Sequence, residues 1–185
     1  NHLKAFDGAL YRYPGGLVSN RFNWQWSVGP SGSRKRHKLV KWAPSTRIDF
    51  GLDEYLEFVK SVNGHPWFVL NLVGWDEKKM IKEMPIDDLS IHNAKLEKYI
   101  KGKLKEENVA RYYQLGNELD RSKYQWSHDK YILRSRRVIE SMLEVDPDAR
   151  FIAFLRDFNW KYRAPKADLG KSRAGDFIRD VLTGL

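Results

Sequence analysis

Val109-Ala110-Arg111-Tyr112-Tyr113-Gln114-Leu115-Gly116-Asn117-Glu118 is the stretch on which the fold turns. Val109 to Leu115 reads as a strand, and the turn that closes it delivers an amide and a carboxylate at the strand's C-terminal end. Upstream, Trp67-Phe68-Val69-Leu70-Asn71-Leu72-Val73 is a nearly continuous apolar run, as expected of a strand buried on both faces. Between the two, Leu96, Tyr99, Ile100 and Leu104 fall at helical spacing, predicting a helix over roughly Asn93 to Glu106. Strand, helix, strand in that order implies a parallel pair with a helical crossover.

The same rhythm extends both ways. Ala9-Leu10-Tyr11-Arg12-Tyr13 reads as a first strand, stopped by Pro14-Gly15-Gly16. A long irregular stretch, Leu17 to about Phe50, separates it from a helix through Leu52, Tyr55, Leu56, Val59 and Val62. Asp53, Glu54 and Glu57 lie near the start of that helix, and Asn63-Gly64 is its stop. Downstream, a helix from His128 to Glu144 turns Tyr131, Ile132, Val138, Ile139, Met142 and Leu143 inward, and Asp146-Pro147-Asp148 breaks it. Phe151 to Leu155 is a fourth strand, and Gly175 to Leu185 reads as the opening of another helix. Four such units define an α/β fold amounting to about half a (β/α)8 TIM barrel.

The 185 residues suffice for one domain, but a closed eightfold barrel needs roughly 250. Residues 1–185 are therefore expected to be a single partial barrel domain of a longer polypeptide. Asn1 in place of an initiator Met, with no signal-peptide pattern after it, points the same way. The net charge of +9 favours anionic partners. The absence of cysteine excludes disulfides and thiolate zinc sites, and five scattered histidines predict no metal site. No cofactor and no membrane span are expected. No helix-turn-helix, RNP-like or zinc pattern supports a nucleic-acid partner. A secreted or periplasmic location is the expectation.

In barrels of this kind, functional side chains stand at the C-terminal ends of strands. The candidates are Arg12 before Pro14-Gly15-Gly16, Asn71 with Gly74-Trp75, Asn117-Glu118, and Arg156-Asp157. Trp24, Trp26 and Trp42 on the long loop would offer stacking faces for sugar rings.

Arg12-Tyr13-Pro14-Gly15-Gly16, then Phe22-Asn23-Trp24, Gly29-Pro30, Phe50-Gly51-Leu52-Asp53-Glu54-Tyr55-Leu56, Asn71-Leu72 and Leu115-Gly116-Asn117-Glu118 occur in one collinear order from about Leu3 to Asp148. In this the chain resembles the α-L-arabinofuranosidases of glycoside hydrolase family 51 and their clan A relatives. The resemblance implies retaining (β/α)8 enzymes with an asparagine-preceded acid/base glutamate after strand 4 and a nucleophile glutamate after strand 7. The four units here would be strands 2–5. Carried over, Glu118 matches the acid/base, Asn117 the residue that bonds the sugar hydroxyl beside the anomeric carbon, and Arg12 the arginine beside the carboxylates. Trp126 and His128 resemble the aromatic and histidine that follow the motif. Where the family has an asparagine touching the furanose, this chain has Leu17.

A retaining glycosidase needs a protonated carboxyl for the leaving oxygen and a second about 5 Å away for the anomeric carbon. Partial burial raises the pKa of the first, and a neighbouring arginine opposes the rise. The alternative for Glu118 is a helix cap. Glu54, Glu57, Glu83, Glu97, Glu106, Glu107, Glu140 and Glu144 fall on helices or loops and read as solvated surface. The nucleophile is then expected beyond Leu185, supplied by the same or a second chain, which leaves the isolated chain inactive. Arg34-Lys35-Arg36-His37-Lys38 with Lys41, on a loop overhanging the cleft, points to an acidic polysaccharide, sulfated or uronic-acid-containing. The rival function is a non-catalytic carbohydrate-binding domain of the same fold.

Overall fold

Side-chain alternation along short parallel strands explains the layering. The structure, a computed structural model, describes residues 5–41, 43–76, 82–105, 109–119, 124, 126–154 and 183–185. Strands β1 (Leu10–Tyr13), β2 (His65–Leu70), β3 (Tyr112–Leu115) and β4 (Arg150–Ile152) form one sheet in the order β1-β2-β3-β4. Every pair is parallel, with Arg12 opposite Trp67, Trp67 opposite Tyr112, and Tyr112 opposite Arg150. Helices α1 (Leu52–Ser61), α2 (Ile86–Lys103) and α3 (His128–Leu143) supply the crossovers. This is the expected α/β arrangement of consecutive strand–helix units.

Because side chains alternate along a strand, Tyr13, Phe68, Leu70, Tyr113 and Leu115 are buried in the core that they share with Leu56, Val59, Leu96, Ile100, Tyr131, Val138 and Met142 of the helices. The opposite face carries Arg12, Trp67, Val69, Tyr112 and Gln114. Helix α1 begins at Gly51, whose N–H is accepted by Glu54 Oε2 at 2.8 Å. A Cβ there would lie 1.9 Å from the Ser27 carbonyl oxygen and 2.6 Å from Arg34 Nη1, so only glycine fits. Asn63, with φ 51°, ends the α1 unit as Asn63-Gly64 predicts.

Several boundaries move. Helix α2 begins seven residues before Asn93, behind Pro85, with Asp87 and Asp88 in its first turn. Strand β2 ends at Leu70 because the Asn71 side chain takes over the backbone groups that follow. Leu143, expected inward, is 37% exposed. Glu97, expected on the surface, is fully buried: its position on α2 faces β3 and Arg111, whose Nε lies 3.3 Å from Glu97 Oε1. Leu155, Arg156, Asp157, Glu106, Glu107 and Trp42 lie outside the described residues, as does most of the helix expected over Gly175–Leu185. Among the described residues no helix is long and apolar enough to cross a membrane.

Candidate active site

Arg12 is the next-to-last residue of β1, on the face that carries Gln114, and its guanidinium reaches across β2 to β3. Nε donates to Gln114 Oε1 at 3.0 Å and Nη2 to Asn117 Oδ1 at 2.8 Å, while the planar group lies 5.7 Å from the Trp67 ring centre. Burial lowers the Arg12 pKa, and the negative charge of Glu118 works in the opposite direction. Arginine remains charged through such shifts. The strand-end cation and the candidate acid are therefore electrostatic neighbours.

The turn after β3 is held from two sides. Asn20, fully buried in the 3-10 segment Gly16–Arg21 that follows β1, donates from Nδ2 to the Asn117 carbonyl at 2.5 Å and accepts the Asn117 N–H at 3.0 Å. Gln114 Nε2 donates to the Gly116 carbonyl at 2.7 Å. Gly116 has φ 73°, and a Cβ on it would meet Leu119 Cδ1 at 2.5 Å. Glu118 itself has φ 51°, the left-handed region that non-glycine residues rarely enter, and is half-buried. Backbone strain of this type is held in place by surrounding contacts and concentrates at functional positions.

The other candidates are distributed more widely. Asn71 is buried with its amide fully committed: Oδ1 accepts from the N–H groups of Val73 and Gly74, and Nδ2 donates to the carbonyls of Gly74 and Phe22. It ties the loop after β2 to the loop after β1. Trp24 is buried against α2, its Nε1 donating to the His92 carbonyl at 3.1 Å and its ring packed on His92 and Tyr99. That places its ring in the packing around α2, apart from the Arg12 and Asn117 cluster. Trp75 packs on His92 with ring centres 4.1 Å apart.

Trp126 is buried below two cations of α3, Lys130 and Arg134, at 5.0 and 5.4 Å, and its backbone N–H donates to the Leu119 carbonyl. His128 is buried at the first position of α3, where Ser127 caps the helix by accepting the Lys130 N–H. Gln114, Asn20 and Arg134 were not among the sequence candidates. Arg134 donates to the Leu72 and Met84 carbonyls at 2.8 and 2.9 Å, fixing the loop after β2 from the α3 side.

The basic loop is folded on itself. Arg34 is buried, pairs with both Glu54 oxygens at 2.7 and 2.8 Å, and donates to the carbonyls of Gly29, Ile48 and Asp49. Arg36 donates to the Ser45 carbonyl, Lys38 to that of Ala43, and Lys35 lies 5.3 Å from the Trp26 ring. Burial against Phe22 and Trp26 holds His37 neutral, its pKa lowered to about 4.

Consecutive parallel strand–helix units, with an Asn-Glu turn at one strand end braced by an arginine from two strands away, define a segment of a (β/α)8 barrel with a carboxylate at the C-terminal rim of its strands. Solved arabinofuranosidases share this fold. The family 51 enzyme from Bifidobacterium longum superposes with a TM-score of 0.69 at 15% identity, covering 98% of this chain and 34% of that one. The Thermotoga maritima enzyme, solved with arabinose, superposes at 0.64 and 21% identity, covering 85% and 33%. Residues 2–170 match the α-L-arabinofuranosidase 1 domain, and the chain belongs to that family. An intracellular exo-α-(1→5)-L-arabinofuranosidase of Streptomyces lividans is 27% identical over 150 residues, which are 77% of this chain and 22% of that protein. The chain thus spans about a fifth to a third of its relatives' length.

Proposed function

We propose that this chain supplies the acid/base half of a retaining glycoside hydrolase site of the arabinofuranosidase type, acting on arabinose-containing polysaccharide. Glu118 protonates the departing glycosidic oxygen and then activates the water that releases the sugar. The observation that carries this reading is the Asn117-Glu118 turn. Its peptide is clamped by Asn20, its amide is held by Arg12, and its carboxylate stands beside the Arg12 charge. Clamping fixes the donor before substrate arrives, so little reorganisation remains for the reaction step. Among the described strand ends no second glutamate is present, and on this reading the nucleophile comes from the same polypeptide outside residues 1–185 or from a second chain. Arg12 and Asn117 stand at the same rim, and the Trp126 backbone N–H donates to the Leu119 carbonyl immediately after Glu118.

The test is Glu118→Gln in the full-length protein. Turnover of a natural arabinoside is expected to fall about 10²–10⁴-fold. Release of dinitrophenolate from an activated aryl arabinofuranoside, which needs no proton, should suffer far less in its first step. Wild-type turnover of the natural substrate by the variant, or equal losses on both substrates, would remove the assignment.

A further inference from the structure

We infer that the outer face of α2 carries a second carbohydrate subsite, selective for a uronic-acid unit of the polysaccharide. A groove of about 420 Å³ lies there, bordered by Trp24, Lys95, Lys98, Tyr99, Gly102 and Lys103, within the size range of small-molecule clefts. Residues 95, 98, 99 and 102 share one stripe of the helix. The walls are almost wholly carbon, and both aromatic rings are fixed in advance. The Tyr99 hydroxyl donates to Asp53 Oδ1 at 2.5 Å, and the Trp24 indole is anchored on the His92 carbonyl, with the two ring centres 5.4 Å apart. Tyr99, half-buried and held this way over the buried Trp24, loses little freedom when a sugar packs on it.

Charge selects the kind of sugar. Asp53, which bonds two of the groove's lining residues, is spent on Tyr99, on Lys103 at 3.1 Å and on the Gly29 N–H at 2.7 Å. Lys95 and Lys98 are exposed and have no carboxylate partner among the described residues. The surplus is cationic and sits at the rim of an aromatic floor, the complement of a ring bearing a carboxylate. Lys95 also borders the adjoining cleft of Gln25, Trp75, Asp88, Ile91 and His92, where the acid and the aromatic rings suit a neutral sugar, so a chain longer than one unit has a continuation toward the loop after β2. By contrast, the cations of the loop at 34–38 are engaged with backbone carbonyls, Glu54 or Trp26. The choice of a sugar as occupant rests on the functional reading above; the groove's preference for an anion does not.

The experiment is calorimetric titration of the 185-residue chain with tetragalacturonate, neutral arabinotetraose and a tetraglutamate peptide, at low and moderate salt. Tetragalacturonate is expected to bind at least tenfold more tightly than either of the others. Lys95→Glu with Lys98→Glu should abolish that binding, and Arg36→Ala with Lys38→Ala should leave it within twofold. Both lysines are exposed, so an unchanged thermal midpoint verifies that the double variant is folded. Equal affinity for the neutral sugar, equal affinity for the peptide, or undiminished binding by the Lys95/Lys98 variant would each overturn the proposal. Glu118→Gln should bind tetragalacturonate like the wild type, so failure of the catalytic assignment and failure of this subsite are read separately.

Discussion

Asn20 shows how much a single buried amide does for the candidate site. It satisfies both the N–H and the C=O of Asn117, 97 residues away in sequence. Asn20→Ala leaves two buried backbone groups unpaired, at about 1–3 kcal/mol each, and a loss of roughly 2–4 kcal/mol should appear in urea unfolding. Loss of under 0.5 kcal/mol would mean that water replaces the amide without penalty. In the full-length protein the same variant should lower kcat more than it raises KM, because a looser Asn117-Glu118 turn misplaces the proton donor. Glu118, Asn117 and Arg12 were legible because they sit at strand ends in a recognisable order. Asn20 was not, because it lies in a stretch without periodicity and its partner is distant. Gln114 hid for another reason: one polar residue within an apolar strand gives no sign of which face it takes.

At the scale of elements, the long excursion between β1 and α1 is built around Arg34 rather than around a hydrophobic core of its own. The guanidinium gathers carbonyls of three residues and the Glu54 carboxylate, and Gly51 makes room for it. Gly51→Ala is expected to cost about 1–3 kcal/mol by overpacking, seen as a lowered thermal midpoint and faster proteolytic cleavage within 34–50. An unaltered midpoint would show that the loop yields at no cost. The sequence made this segment look like a cationic surface because charge was visible and the carbonyl acceptors were not. The same blindness displaced the start of α2: the apolar periodicity sets in late, whereas Pro85 and Asp87-Asp88 mark the true beginning. Helix α3 was legible from end to end, since its apolar spacing and its Ser127 cap agree.

Across the whole molecule the two ends of the sheet carry different chemistry. The C-terminal rim holds Arg12, Asn117 and Glu118. Near the other end, before β3, Arg111 binds Asp146 and lies 3.3 Å from Glu97, with Lys101 at 3.2 Å from Asp146. Burial, reinforced by Asp146, raises the Glu97 pKa to about 7. Burial would raise Asp146 as well, but hydrogen bonding with Glu97, Arg111 and Lys101 brings it below its usual range. A carboxyl whose folded pKa is raised contributes stability below its unfolded pKa and loses it as pH climbs through the folded value. Wild-type stability should therefore decline between about pH 4.5 and 7 on account of Glu97. Glu97→Gln, neutral at every pH, should gain on the wild type over that window, by an amount on the order of 3 kcal/mol at most. Chemical denaturation at pH 5 and pH 8 checks it, and a constant difference between the two proteins would refute it. Sequence placed Glu97 at the surface because a charged residue on a helix is usually solvated; only the neighbouring Arg111 and Asp146, brought in by the fold, make its burial tolerable.

The ties among the rim loops have one property in common: Asn71 ends on the Phe22 carbonyl, Asn93 on that of Asn71, and Arg134 on those of Leu72 and Met84. Each clasp is specified by one side chain and received by a peptide oxygen that every amino acid possesses. The clasp itself thus places no demand on the side chain at the receiving position; Phe22 and Leu72 answer only to core packing, and any replacement that keeps the packing keeps the rim's shape.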